Sequence, residues 1–215
     1  MAAPLPPRID PITLPELTAL EVLDAHESYD GVRLSGLDLS GQDLTGVLLT
    51  ESALENVSAN ETILRTAEFA DVSISRLNAA VFLAARSRYR DVLIDGSRMG
   101  SAELYDASLT TVHLRGSKLG YLNLRGARLH DVLFEGCTID EIDLTDATLT
   151  RVAFVDTTIT TLNLLRSRLS NVDLRGATFG RVDDYSSLRG ATLSAFQVSD
   201  LAESFAVHLG IAIAD

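Results

Sequence analysis

The chain repeats apolar residues every five positions, a period produced neither by a helix, where they return near 3.6, nor by an ordinary strand, where they alternate. Steps of five from Leu34 reach Leu39, Leu44, Leu49, Leu54, Ala59, Leu64, Phe69 and Ile74, and the phase holds to Leu174 and Phe179. Of these thirty central positions, Leu or Phe fills 21 and Ile four; Met99, Tyr89 and three alanines fill the rest. The residue two places before each centre is small to medium and mostly apolar. There Val recurs at every fourth repeat, as Val32, Val72, Val92, Val112, Val132, Val152 and Val172, broken only by Ser52. Four pentapeptides therefore close one coil, and each residue stacks on its equivalent four repeats away.

The physics of such a coil is simple. The central and preceding residues point inward and fill a narrow tube, and the other three positions face water. Coils stack at the strand spacing of ~4.8 Å, so about seven and a half coils give a rod roughly 36 Å tall. Aromatic residues are only 6% of the chain and Trp is absent, so the core is aliphatic. Gly at 36, 41, 46, 96, 116, 126, 136 and 176 falls two places after the centre, where the chain turns a corner and Gly is least strained. Ala79 and Ala84 leave space near Phe82, which is large for its slot. Either the ring fills the volume the alanines vacate, or the rod kinks there. After Phe179 the phase slips by one, to Leu188, Leu193 and Val198, which implies a tight turn near Asp183 and Asp184.

Open solenoid ends expose coil edges and need caps. Thr13-Leu14-Pro15-Glu16 reads as a capping box, predicting a helix from about Leu14 to His26 with Leu17, Leu20 and Leu23 inward. Residues 1–11 are expected to be loose. At the other end Asp200, Glu203 and Gly210 bracket a second helix carrying the stripe Leu201, Phe205 and Leu209. That stripe either lids the last coil or makes a symmetric dimer contact. The expected organisation is an N-terminal tail and capping helix over 1–30, a β-helix over 31–195, and a capping or dimerisation helix with a tail over 196–215.

Ser35-Gly36-Leu37-Asp38-Leu39, Gly126-Ala127-Arg128-Leu129, Asp146-Ala147-Thr148-Leu149 and Asn171-Val172-Asp173-Leu174-Arg175-Gly176-Ala177 resemble the A(D/N)LxG units of the pentapeptide-repeat family. The resemblance covers about residues 31–195 and implies an all-β solenoid, a right-handed quadrilateral β-helix. The stretch Leu188-Arg189-Gly190-Ala191 running into Phe205-Ala206-Val207-His208-Leu209-Gly210 looks like the tail of the loop-free mycobacterial quinolone-resistance type. In that type, such a helix supports a dimer and the rod mimics DNA to bind DNA gyrase. The register leaves no room for the projecting loops of Gram-negative plasmid-borne relatives.

Chemistry on the surface is sparse. His26, His113, His130 and His208 lack metal-ligand spacing, and no nucleophile elbow, phosphate loop or dinucleotide fingerprint occurs. Carboxylates recur because the repeat favours Asp before the centre. The chain is expected to be no enzyme and to need no cofactor or metal. A single Cys137, a Pro-rich start without a signal-peptide core, and no apolar stretch of membrane-spanning length point to a soluble cytoplasmic protein. The net charge of −12 argues against direct nucleic-acid or membrane binding. Residues 1–31 carry a net −5 and residues 184–215 a net −3. Within the body the acidic side presents Asp43, Glu103, Asp106, Asp143, Asp146 and Asp183, diluted by Arg65, Arg86, Arg125 and Arg166, with Asp140, Glu141, Asp143 and Asp146 the densest patch. A basic belt gathers Arg86, Arg88, Arg90, Arg98, Arg115 and Lys118. The expectation is a DNA-mimicking gyrase modulator or, alternatively, a scaffold for a partner that is not a topoisomerase.

Overall fold

A computed structural model describes residues 3–214. It is a parallel β-solenoid of about eight turns. Of two long parallel sheets, the twelve-stranded one runs the length of the rod, and the six-stranded one begins at Asn78, with isolated bridges continuing its ladder back to Asp38. Strands such as Glu68–Ser75, Arg88–Asp95, Ser108–Arg115 and Arg128–Glu135 bend around one corner of the coil, and Asn78–Leu83, Arg98–Glu103 and Lys118–Asn123 bend around the opposite one. The register advances by four repeats throughout the body, pairing Val92 with Val112, Val112 with Val132 and Val132 with Val152. We number the faces by their central residues: first from Leu34, second from Leu39, third from Leu44, fourth from Leu49.

Side chains follow that register. Every central residue from Leu34 to Leu164 is buried, and Leu169 and Phe179 near the end are half-buried. Stacked coils bring like residues into contact. Phe69 lies parallel to Tyr89 at 5.0 Å and Phe134 to Phe154 at 4.7 Å, both offset-compatible aromatic contacts. Phe82 is buried with Ala79 and Ala84, and the pairing of Asn78–Leu83 with Arg98–Glu103 continues in register through it. The volume swap holds, and no kink forms. Corner residues take left-handed φ, including non-glycines such as Asp71, Asp91, Asp131 and Asp146. Asp and Asn tolerate that region better than most side chains.

Polar residues enter the tube where the backbone can meet them. Ser97, Ser117, Cys137 and Thr157 form one buried column. The Leu77 amide donates to Ser97 Oγ and the Ser97 amide to Ser117 Oγ, both at 3.1 Å. Thr157 Oγ1 in turn donates to the Phe134 and Val155 carbonyls. Each hydroxyl is satisfied within its own corner, so burial carries little desolvation cost.

The N-terminal helix expected over about Leu14 to His26 does not form. Thr18–Ala19 instead pairs in parallel with Val32–Ser35, and the Thr18 and Leu20 amides donate to the Gly31 and Arg33 carbonyls. The first coil presents a row of unpaired backbone groups, which a helix, having satisfied its own, could not meet. An irregular extended turn does so, with Leu23 buried beneath the coil. Nor are residues 5–12 loose: they lie along the outside of the rod, the Leu5 amide donating to Asn171 Oδ1 and the Arg8 amide to Asp131 Oδ1.

The C-terminal end is closed by two short helices, α1 (Ala195–Asp200) and α2 (Ala202–His208). The phase slip is real: Asp184 adopts φ 64°, a 3-10 turn spans Tyr185–Leu188, and Val172 pairs with Ala191 at an offset of 19. The capping box belongs to Ser194 and Gln197 rather than to Asp200 and Glu203. The Gln197 side chain then reaches into the open end and donates to the Leu174 and Ala177 carbonyls, both at 2.7 Å. One side chain thus stands in for the missing next coil.

Candidate protein-interaction surface

The register assembles the acidic residues of the third face into a column. Glu103, Asn123 and Asp143 are successive partners, Asp183 follows Asn163, and Asp43 bridges to Ile63 at the N-terminal end. The column therefore alternates carboxylates with Ile63, Leu83, Asn123 and Asn163. Asp106 and Asp146 stand on the next corner with left-handed φ, and Asp140 and Glu141 on the preceding one.

Most of these carboxylates have partners. Asp146 is held by Arg166 at 2.6 Å and Asp106 lies 3.7 Å from Arg86, each arginine one coil away at the equivalent position. Asp183 pairs with Arg181 at 2.7 Å. Asp143 is buried, accepts from the Thr145 amide and hydroxyl, and lies 3.5 Å from Arg125. Glu103 accepts from Asn123 and Ser101. The Asp43 carboxyl is held below its ordinary range by hydrogen bonds from Thr45, and that of Asp146 by Arg166. Asp140 and Glu141 are exposed and make no side-chain hydrogen bond or ion pair among the described residues. The face is thus acidic in composition but largely neutralised in place.

The unneutralised charge lies elsewhere. Residues 12–64, which build the first coils, hold ten acids against Arg33 alone, a net of −9. Glu16, Glu21, Asp24, Glu27, Glu51 and Glu61 are all exposed, and Arg33 reaches only Glu55, at 3.5 Å. The net of −5 over residues 1–31 already marks this end as acidic in the sequence, and the carboxylates of the first coils extend it over four faces instead of one. The basic belt is similarly tempered, with Arg88 on Glu68, Arg90 on Asp71 and Asp91, and Arg115 on Asp95. Arg98 and Lys118 are stacked partners on the second face.

The expected dimer stripe divides. Leu201 is buried beneath the helices and Phe205 packs edge-on against Tyr185 at 5.2 Å, so both serve the cap. Leu209 is exposed, as are Val207, Ile211 and Ile213 beside it in the chain and Phe196 on α1, each more than half exposed. No group of His, Cys, Asp or Glu suited to hold a metal occurs among the described residues, and no helix there is long and apolar enough to cross a membrane.

Residues 96–164 match the family model of a pentapeptide repeat region. No curated protein matches the chain. Among solved structures, a trypsin-treated form of QnrB1, a plasmid-mediated fluoroquinolone resistance protein, is 20% identical with a TM-score of 0.37, over 93% of this chain and 100% of that one. Full-length QnrB1 is 15% identical with a TM-score of 0.34, over 83% and 99%. HetL, from the cyanobacterium Nostoc and involved in heterocyst differentiation regulation, is 18% identical with a TM-score of 0.25, over 79% and 92%. These identities and scores are low, and the assignment of the fold rests on the repeat and its register.

Proposed function

We propose that this chain, a β-helix built from the repeats of the pentapeptide-repeat family, is a non-enzymatic binding protein that imitates DNA to a cationic protein surface, that of DNA gyrase or a related topoisomerase. The observation that carries this reading is the net −9 over residues 12–64, displayed on a rigid rod end. A protein surface shaped to hold duplex DNA is positively charged, and charge complementarity accelerates encounter and fixes orientation. A filled interior leaves the outer surface as the place where binding occurs. In this reading the exposed residues around Leu209 form a two-fold contact between C-terminal ends, since apolar side chains clustered at one tip favour a self-complementary interface. The two acidic ends then point away from each other.

Purified protein should alter gyrase supercoiling, or gyrase inhibition by a quinolone. Reversal of Glu16, Glu21, Glu51 and Glu61 to Lys should weaken the effect at least about tenfold and flatten its salt dependence. Reversal of the ion-paired Asp146 should do less. No effect of wild-type protein at high micromolar concentration would refute the reading. A scaffold for a partner that is not a topoisomerase is the second reading. The pairing of Asp106, Asp143 and Asp146 with arginines favours it, because it removes the acidic face as a long DNA-like stripe. A pull-down whose main product is no topoisomerase would select it.

A further inference from the structure

All five prolines of the chain, at 4, 6, 7, 11 and 15, lie in the N-terminal arm. The arm crosses the strands instead of joining them. Its two anchors on the solenoid, Asn171 for the Leu5 amide and Asp131 for the Arg8 amide, occupy equivalent positions two coils apart. Two coils are roughly 10 Å. Three arm residues span that rise, which matches a polyproline II chain at about 3.1 Å per residue. Prolines suit this path because the ladder beneath has already used its backbone groups and offers no partners for further amides.

The anchor is built into the solenoid. The Asp131 side chain is nearly buried, takes two hydrogen bonds from Arg151 at 2.6 Å, and still presents Oδ1 to the arm at 3.0 Å. Beyond it, Ile9–Ile12 bridge a groove of about 440 Å³ floored by Val92, Leu93, Thr111 and Leu133, with His113 and Arg115 beside it. The arm spans this groove without filling it. It is thus held by two side-chain acceptors and partial apolar contact, far less than holds any coil.

We propose that this groove is a docking surface for an extended, proline-rich segment of a partner protein, and that residues 5–12 are its built-in competitor. The seated arm displays the chemistry the groove accepts: an extended, proline-punctuated backbone, an amide aimed at Asp131, and aliphatic side chains at the spacing of Ile9 and Ile12. Such segments bind at low entropic cost because they are extended before they dock. The site is distinct from the acidic end and does not depend on the gyrase reading.

The test uses a fluorescent synthetic peptide of residues 3–14 and two full-length proteins, wild type and a variant carrying Leu5→Pro and Arg8→Pro, which removes both anchoring amides. The tethered arm competes at an effective concentration on the order of millimolar. The peptide should therefore bind the released variant about tenfold or more tightly than wild type, by anisotropy. Adding Asn171→Ala to the released variant should weaken binding about three- to tenfold, the loss of one hydrogen bond. A peptide with every proline replaced by alanine should bind markedly less well. In wild type, hydrogen exchange at the Arg8 amide should be much faster than at Val132. Absence of peptide binding to the released variant, equal binding by the alanine peptide, or an Arg8 amide as slow as the ladder would each overturn the proposal. A change of oligomeric state on releasing the arm would also overturn it, making the occupant a second copy.

Discussion

Tyr89→Phe should make this protein more stable, against the usual direction of core substitutions. Tyr89 is a central residue of the fourth face, fully enclosed, with its ring stacked on Phe69 at 5.0 Å and 6°. Its hydroxyl has no hydrogen-bond partner among the described residues. Ser87 lies near enough to bear on the phenol but donates its proton to the Ala84 carbonyl and makes no hydrogen bond to the Tyr89 hydroxyl. A buried hydroxyl without a partner costs about 1–3 kcal/mol, whereas the ring contributes its packing whether or not it carries oxygen. Removing the oxygen should therefore stabilise the rod by about 1 kcal/mol, allowing for the small void left behind. Burial also pushes the Tyr89 phenol well above its ordinary pKa. The unfolded chain ionises near pH 10 while the folded one resists, so this residue's contribution is intact below pH 10 and is lost as pH rises further. Urea unfolding at pH 7 should show a higher midpoint with an unchanged slope, and at pH above 10 the advantage of the Phe variant should widen. A loss of about 0.5 kcal/mol or more, read as a lower midpoint at equal slope, would refute the reasoning and mean that the hydroxyl is satisfied, for example by enclosed water.

Three further outcomes follow from the ends and the arm. Gln197→Ala should leave the Leu174 and Ala177 carbonyls unmet at a cost of about 2 kcal/mol. Because solenoids fray from their ends, hydrogen exchange should accelerate in Arg168–Asp173 and Ala177–Asp183 while Leu109 to Leu149 stay protected. Gly190→Ala should destabilise by about 2 kcal/mol or more: φ is +93° there, and an added Cβ would lie 2.0 Å from the Leu169 carbonyl oxygen. Circular dichroism melts read this directly. Asp131→Asn should remove part of the acid sensitivity. Arg151 holds the Asp131 carboxyl below its ordinary range, so its stabilisation is present above the unfolded pKa near 4 and is lost as pH falls below it. The variant's stability should thus change less than wild type's between pH 5 and pH 2.

Legibility differed between body and ends for a physical reason. In the body each residue meets its equivalents one coil before and one coil after, so side-chain size alone dictates the contact, and Phe82 with its flanking alanines could be placed from volume. The column of Glu103, Asp143 and Asp183 was equally readable. The salt bridges that neutralise the third face were latent in the same register, since Asp146 and Arg166 are also one coil apart. The repeat places Arg86, Arg125 and Arg166 on that same face, but only side-chain geometry decides which carboxylate each one holds. At the ends the partner is no longer a repeat. The capping-box pattern at Thr13 lost to the backbone demand of the first coil's edge, and Asp200 lost to Ser194, whose box directs Gln197 into the last coil. The apolar spacing of Leu201, Phe205 and Leu209 could not reveal that two of them are spent on the cap and one is exposed.

The pentapeptide period and its fourfold multiple in the sequence determined the coil, its core and the residues sharing each face, because in a solenoid every contact repeats a local rule. Tertiary structure alone decided how the chain closes its ends and where the proline-rich arm lies. Those choices depend on which backbone groups remain unpaired once the coils have stacked. No local pattern encodes that, and the arm meets Asp131 and Asn171 from the far end of the chain.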